Sequence, residues 1–295
     1  MIKRGNSYPT SGRSVERLDR LDSLSQFHDE VSPHLSLSFD AFQRCEPAFR
    51  TLVESGFIED LVHHELSLIS SDPNYLPTGS ITDRDLAIYL GQSYTLSVQI
   101  VEAGTQTSRR IVSSTEHQMV AVVPSSEDSV LELELFEQPN PVPNDVLDRS
   151  RRLIGRGPLR LESGDVHVFE ACRDLYRIKG APETSIVLYF TSATVAPLRW
   201  EYDPDSLLPL RVTATAAGSS RYEYAAQLLT HLENPQSIDA LATLLHHEDH
   251  FVRWSAAQAI AYIDREAGID ILASLVNDPH PHVRNASTKA LSALE

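Results

Sequence analysis

The C-terminal part of the chain repeats itself, and this repeat limits the available folds more than any other feature. Residues 241–263 read LATLLHHEDHFVRWSAAQAIAYI and residues 272–294 read LASLVNDPHPHVRNASTKALSAL, at an offset of 31 residues. Each copy carries a Val-Arg pair, with Arg253 in the first and Arg284 in the second. Carried backwards, the same offset places SSRYEYAAQLLTHL under the second helix of the first copy. The pattern predicts roughly two and a half helical hairpins stacked as a solenoid.

The positions of the leucines, the Val-Arg pair and the alanines resemble those of HEAT repeats, in particular the short HEAT-like class. The resemblance covers about 75 residues. It implies a curved stack in which Arg253 and Arg284 lie near the turns between repeats. Asp278 occupies the usual acidic position of the second repeat, whereas His247 occupies it in the first. We therefore expect an incomplete ladder of Asp–Arg pairs.

Solenoids present extended surfaces rather than reaction centres, so we predict a protein partner for this segment. The candidate partner-binding residues are Arg253, Arg284, His250 and His282, which lie at or near the predicted turns. Histidines in these turns could change charge together near pH 6–7, whereas a plain solvated turn would have no such role.

The central segment has a different period. SYTLSVQIV places Tyr94, Leu96, Val98 and Ile100 on one face, and VLELELF, SIVLYF and PLRWEY are strand-like in composition. Turn clusters such as PSSED, QPNPVPND and KGAPET separate these runs, with no long helix between them. Short strands at this spacing predict an antiparallel sandwich or barrel over residues 84–216.

Two stretches of this segment resemble the motifs of cupins, the β-barrels whose motifs supply the histidines and the carboxylate of a metal site. In ESGDVHVFEACRDLYRIKG a Gly-Asp turn begins a strand, and a motif histidine is expected about eleven positions after Gly164. Asp174, Leu175 and Tyr176 stand there instead, and SSTEHQMVAVV offers only His117 for the first motif. The resemblance implies a cupin-type barrel with degenerate metal motifs.

A catalytic Fe, Mn or Zn site needs about three protein ligands that leave one position open. The candidates are His117 and His167. If Val166 and Val168 face the core, the period of two turns His167 the other way, beside Phe169. One alternative is a metal site built on these two histidines. The other is that both are ordinary strand histidines, in which case we expect no cofactor.

A polar cluster of Arg173, Asp174, Tyr176 and Arg177 lies at the start of a predicted strand. Guanidinium groups beside a phenol suit a carboxylate or phosphate, so these residues are candidates for binding a small anionic ligand. The alternative is a surface network in which Asp174 neutralises the arginines.

The N-terminal part of the chain divides into two predicted segments. Residues 1–35 are expected to form a flexible or weakly helical lead-in. Residues 36–83 are expected to be helical and to pack on the barrel, with a break at Pro47 and a helix end at Gly56. The HEAT-like repeats then occupy residues 217–295.

Composition narrows the functional classes. The formal charge of −16 and the pI near 5.1 argue against a nucleic acid or an anionic membrane as partner. Cys45 and Cys172 have no CxxC neighbour, which favours a reducing cytoplasm. The sequence also shows no apolar run long enough for a membrane span, and no secretory signal.

Together these patterns predict an α+β protein with short N-terminal helices, an antiparallel barrel of cupin type and a C-terminal solenoid of HEAT-like hairpins. We expect a non-catalytic adaptor or accessory protein that binds a protein partner through its repeats, with a possible anionic-ligand pocket in the barrel. The alternative is a metal-dependent oxygenase or isomerase of cupin type with altered ligands.

Overall fold

The structure, a computed structural model, describes residues 21–72, 74, 85–104, 110–126, 128–139 and 145–293. The chain divides into two compact units, 1–212 and 213–295. We call them the barrel unit and the repeat unit. Residues 1–20 of the predicted lead-in, and most of the turn-rich SDPNYLPTGS and QPNPVPND stretches, lie outside the described residues.

The barrel unit begins with helices. Those in the described part are α1 (Asp22–Val31), α2 (Phe39–Gln43), α3 (Glu46–Glu54) and α4 (Phe57–Ser71). Pro47 lies in the first turn of α3, where a missing N–H costs nothing, and Gly56 separates α3 from α4 at a φ of 72°.

Helix α1 lies within residues 1–35, for which a flexible or weakly helical segment is expected. Leu24, Phe27 and Val31 are each at most 2% exposed. Their spacing of three and four residues puts them on one face of the helix, so burial of that face holds this segment in the core.

Eleven strands are seen in the described residues. They are β1 (Asp85–Leu90), β2 (Tyr94–Val101), β3 (Ile111–Val112), β4 (Gln118–Val122), β5 (Val130–Glu137), β6 (Ile154–Glu162), β7 (Val166–Phe169), β8 (Asp174–Gly180), β9 (Ser185–Ser192), β10 (Leu198–Tyr202) and β11 (Pro209–Ala214). They form one sheet in the order β1-β2-β9-β4-β7 and two smaller sheets, β11-β10-β3 and β6-β5-β8.

Successive strands pass between the large sheet and the small ones. The chain leaves the large sheet from β2 to β3, returns at β4, leaves again from β7 to β8, returns at β9 and leaves for β10. The β5–β6 hairpin is inserted between β4 and β7, and β5 pairs antiparallel with β8. This alternation is the double-stranded β-helix arrangement of cupins and jelly rolls, so the predicted fold class is confirmed.

The large sheet is buried on both faces, which explains the continuous apolar run MVAV in β4. Met119 and Ala121 pack on the outer face with the helices, together with Phe42 and Phe190. Val120 and Val122 belong to the inner cluster, which packs between the large sheet and the β6-β5-β8 sheet. Of the face predicted for β2, Tyr94, Leu96 and Val98 are buried under the helices, whereas Ile100 lies beyond that cluster and is 45% exposed.

The repeat unit contains α5 (Ala217–Leu232), α6 (Ile238–Leu244), α7 (His250–Ile263), α8 (Arg265–Leu275) and α9 (Pro281–Ser292). The pairs α6–α7 and α8–α9 are the two repeats, and α5 is the half repeat found by carrying the offset backwards. Gly268 in α8 allows close contact with α7, since a Cβ there would lie 2.3 Å from Ala261 Cα. No helix in the described part of the chain is long and apolar enough to cross a membrane.

Candidate functional site

The barrel unit contains a cavity of about 400 Å³ between the large sheet and the strands that face it. Its polar lining comes from five strands and their ends: Gln99, Arg110, Ser113, Ser114, Gln118, Asp174, Tyr176, Arg177 and Arg199. Val112, Leu175 and Ile178 supply apolar surface. We call this space the barrel cavity. Its volume falls within the range of about 300–1,000 Å³ found for small-molecule sites.

Strand periodicity aims two glutamines into the cavity. Gln118 precedes Val120 by two residues in β4, and Gln99 precedes Val101 by two in β2, and both valines belong to the inner cluster. The Tyr176 hydroxyl donates to Gln118 Oε1 at 3.1 Å, and the Tyr189 hydroxyl donates to Gln99 Oε1 at 2.8 Å. Each tyrosine therefore fixes the orientation of one carboxamide.

The predicted anionic-ligand cluster is divided by the structure. Asp174, Tyr176 and Arg177 line the barrel cavity. Arg173 is not part of the lining; its Nη1 donates to Glu170 Oε2 at 2.9 Å. Asp174 Oδ2 accepts from the Glu170 backbone N–H at 2.8 Å, which closes the turn before β8.

Arg110 and Arg199 line the cavity but were not predicted. They come from the segment before β3 and from β10, far in sequence from the β8 cluster. The sequence offers no local motif around either residue, and only the pairing of β3 with β10 brings their strands together.

Carboxylates behind the lining neutralise these arginines only in part. Glu201 Oε2 accepts from Arg110 Nη1 at 2.7 Å, and the same carboxylate accepts two hydrogen bonds from Arg211. The hydrogen bond from Arg211 outweighs the effect of burial and, with Arg110, holds the pKa of Glu201 below its ordinary value. Arg177 forms an ion pair with Glu134. One ionised glutamate shared by two guanidinium groups leaves a net positive charge.

His117 lies on the outer face of the large sheet, under the helices. Its Nδ1 accepts from the Ala171 backbone N–H at 2.9 Å, and its Nε2 lies 3.2 Å from the Leu37 carbonyl oxygen, to which it donates in that tautomer. Its ring packs 5.3 Å from Phe39 and 5.7 Å from Phe42. Both ring nitrogens are therefore bonded to the backbone, and neither offers a lone pair to a metal in this arrangement.

His167 lies on the opposite face of the same sheet. Val166 and Val168 pack against the outer cluster, and the His167 ring lies 4.6 Å from the Phe169 ring, as period two predicts. Burial lowers the pKa of His167 more than Asp174 and Glu46 raise it. Since the sheet separates His167 from His117, the two rings do not converge. In the described part of the barrel unit no three His, Cys, Asp or Glu side chains bring ligand atoms within 4.8 Å of one another.

In the repeat unit, the two predicted arginines hold the turns. Arg253 makes two hydrogen bonds to Asp278, at 2.8 and 2.7 Å, and its Nη1 donates to the His247 carbonyl. Arg284 Nη1 donates to the carbonyls of Asp278 and Pro279 at 2.7 and 2.9 Å. One rung of the expected Asp–Arg ladder is thus formed, between the first repeat and the second.

The two predicted histidines lie close together beside these turns. The ring of His250 stacks on His280 at 3.7 Å, and the ring of His282 lies 5.9 Å from His250. His280 Nδ1 accepts from the His282 backbone N–H at 3.2 Å, which caps α9.

A second surface in the repeat unit was not predicted. It is a groove of about 600 Å³ lined mainly by α5 and α7, and Gln227, His231, Trp254, Gln258 and Tyr262 are among its residues. We call it the repeat groove. Gln227 and Gln258 are separated by the repeat offset of 31, so the repeat itself carries a signal that could have found this face.

Among known families, one model matches the C-terminal segment of the chain. Residues 219–294 match the family model for HEAT repeats, which confirms the resemblance in that segment. No curated protein shows significant sequence similarity to this chain.

Three solved structures similar to this chain each align over less than half of it. One is hydroquinone 1,2-dioxygenase PnpCD, with 14% sequence identity and a TM-score of 0.29. The alignment covers 38% of this chain and 66% of that chain, which is just under two thirds of its length. A protein with a double-stranded β-helix domain from Klebsiella pneumoniae aligns at 15% identity and a TM-score of 0.25, over 42% of this chain and 88% of that chain. A cupin protein from Bacteroides fragilis aligns at 10% identity and a TM-score of 0.26, over 41% and 85%.

Proposed function

We propose that this protein is a non-catalytic adaptor or accessory protein, in which the repeat unit binds a protein partner and the barrel unit binds a small anionic ligand. The repeat groove supports this proposal most directly. Its lining combines the aromatic side chains of Trp254 and Tyr262 with the amides of Gln227 and Gln258. Large aromatic side chains are enriched among the residues that dominate binding energy in protein interfaces.

The predicted partner residues divide by accessibility. Arg253 is 7% exposed and is bonded within the repeats, so we expect it to support the turn rather than contact a partner. His250 is also buried, whereas His282 is exposed and Arg284 is half-buried, both in the first turn of α9. We propose that His282 and Arg284 lie at the rim of the partner surface, and that the repeat groove forms its centre.

The experiment compares the full chain with a chain that ends at Val212, the boundary of the barrel unit. Both are immobilised at equal density, and bound proteins are crosslinked and identified by mass spectrometry. We expect partners captured by the full chain to crosslink within residues 213–293 and to be lost from the shortened chain. Equal capture of the same partners by both chains would exclude the adaptor function of the repeats.

The second candidate function is a cupin-type oxygenase or isomerase that uses Fe, Mn or Zn. The Gly-Asp turn before β7 and the histidines His117 and His167 motivate it. Metal analysis of protein purified without a His tag tests it, since less than about a tenth of an equivalent of bound metal would contradict the enzyme.

We further propose that the protein acts in the cytoplasm, with no nucleic acid and no membrane as partner. Cys45 and Cys172 are not joined by a disulfide, and burial raises the pKa of Cys45 to about 11, which keeps that thiol protonated and unreactive. Fractionation of the source cells tests this location, and recovery of the protein with its cysteines oxidised would contradict it.

A further inference from the structure

We propose that the barrel cavity is an oxyanion site, selective for a small organic carboxylate or phosphate over its neutral analogues. This inference rests on the proposed anionic-ligand role of the barrel unit and specifies its chemistry. It follows from the hydrogen-bonding direction of the groups that line the cavity, which are predominantly donors.

The two glutamines contribute amide N–H groups. The carbonyl oxygen of Gln118 accepts from Tyr176, and that of Gln99 accepts from Tyr189. A carboxamide has one acceptor oxygen and two N–H donors, so an oxygen held by a phenol leaves its NH2 as the end available to a ligand. Burial raises the pKa of Tyr176, which keeps the phenol protonated as a donor.

The arginines contribute charge and further N–H groups. Arg177 directs Nε and Nη2 to Glu134, which fixes the plane of its guanidinium beside the cavity. Arg199 Nη2 lies 3.5 Å from Glu116 Oε2, and the Arg199 side chain is 43% exposed. Arginine has five N–H donors and no acceptor, and its planar group matches the oxygens of a carboxylate or phosphate.

Asp174 is the one carboxylate in the lining. Its Oδ2 is held by the Glu170 backbone N–H, and its Oδ1 lies 4.0 Å from Arg173 Nε, outside the cavity. Three arginines and this one aspartate therefore line the cavity, while the glutamates paired with those arginines, Glu201, Glu134 and Glu116, are not part of the lining. An anion in the cavity would contact guanidinium groups rather than these glutamates.

Size and apolar surface limit the ligand further. The volume of about 400 Å³ is near the lower end of the roughly 300–1,000 Å³ found for small-molecule sites. Val112, Leu175 and Ile178 can cover a short carbon chain, while Arg177 and Arg199 bind its charged group. The chemistry therefore suits a ligand of a few carbons with an acidic group.

The test is isothermal titration calorimetry of the full chain with succinate, inorganic phosphate and the neutral analogue succinamide. We expect one site for at least one of the two anions and no binding of succinamide. The two anions distinguish a carboxylate ligand from a phosphate ligand. Absence of binding by both anions up to about 10 mM, near the weak limit of specific recognition, would overturn the proposal, and so would equal affinity for succinamide.

Variants then locate the site. Arg199→Gln and Arg177→Gln should each weaken anion binding by about tenfold or more, the value of one charge-assisted hydrogen bond. Arg160→Gln, at an exposed arginine of β6 paired at 3.6 Å with Glu162, is the matched control and should bind as the parent does. If Arg177→Gln fails to fold, Arg199→Gln still tests the site. Its loss should disturb folding less, because the Arg199–Glu116 ion pair is longer and more exposed. Unchanged binding in folded Arg199→Gln would place the anion elsewhere.

The outcome is independent of the partner experiment. A chain that captures partners through residues 213–293 but binds no anion contradicts the oxyanion site and the anionic-ligand role proposed for the barrel unit, but not the adaptor function of the repeat unit. A chain that binds succinate or phosphate but captures no partner contradicts only the adaptor function of the repeat unit.

Discussion

Arg253 and Asp278 form a buried, two-pronged ion pair that joins the first repeat to the second. The bonds are 2.8 Å from Nε to Oδ2 and 2.7 Å from Nη2 to Oδ1, between residues 25 positions apart. The two side chains are 9% and 2% exposed. A charged pair removed from water to this extent stabilises the fold only while both partners are present.

Asp278→Asn should therefore destabilise the repeat unit by about 3–5 kcal/mol, since it leaves the Arg253 guanidinium buried without its counter-charge. Urea unfolding followed by circular dichroism measures the change. Asp270→Asn, at an exposed aspartate of α8, is the control and should change stability by less than about 0.5 kcal/mol. Equal stabilities for the two variants would contradict a structural role for the pair.

The same pair predicts a pH dependence. Burial raises the pKa of Asp278, but the hydrogen bonds from Arg253 and from the His280 backbone outweigh it and hold the pKa below its ordinary value. The stability from this carboxylate is present above the unfolded pKa of about 3.9 and is lost as pH falls through the lower native value. We expect the acid loss of stability below about pH 4 to be smaller in Asp278→Asn than in the parent.

Phe27→Ala tests the integration of α1 into the core. The Phe27 ring lies 5.2 Å from Phe190 and 6.1 Å from Tyr94, and the side chain is 2% exposed. Removing such a ring should cost about 3–5 kcal/mol of the free energy of unfolding of the barrel unit. Asp29→Ala, on the exposed face of α1, should be nearly neutral, and thermal unfolding compares the two.

His117 should make the barrel unit less stable in mild acid. Burial lowers the pKa of His117 more than the Leu37 carbonyl and Glu170 raise it, so the unfolded state binds a proton more readily than the native state. The stability is thus complete above the unfolded pKa of about 6.5 and falls as pH drops below it. We expect His117→Asn, whose Oδ1 can still accept from Ala171, to show a smaller loss between pH 7.5 and 5.5 in denaturant titrations.

His117→Ala serves as the comparison in the same titrations. This variant leaves the buried Ala171 N–H without its side-chain acceptor. At pH 7.5 its free energy of unfolding should therefore be about 1–3 kcal/mol lower than that of the parent. A parent protein whose stability did not change from pH 7.5 to 5.5 would contradict the shifted histidine.

Tyr262→Ala should weaken partner binding at least about tenfold, because aromatic side chains in grooves carry a large share of interface energy. The side chain is 63% exposed and lines the repeat groove, so folding should be little affected. Tyr224→Ala is the matched control, since Tyr224 is 68% exposed on α5 and is not part of the groove. Surface plasmon resonance with a partner identified by crosslinking compares them; equal losses would exclude the groove as the binding surface.

The sequence determined the features that depend on local periodicity. The 31-residue offset predicted α6 to α9 as two hairpins, and the period of two predicted the strands. Pro47 and Gly56 predicted helix boundaries because each restricts or frees the backbone at its own position. The same period placed His167 beside Phe169.

The tertiary structure decided which residues meet. Arg110 and Arg199 join Arg177 around one cavity only because the chain passes repeatedly between two facing layers of strands. His117 faces the helices instead of the barrel. The sequence could not show this, because both faces of the large sheet are buried and a sequence period cannot tell two buried faces apart. Local patterns report the conformation of each segment, whereas a site depends on contacts between residues far apart in sequence.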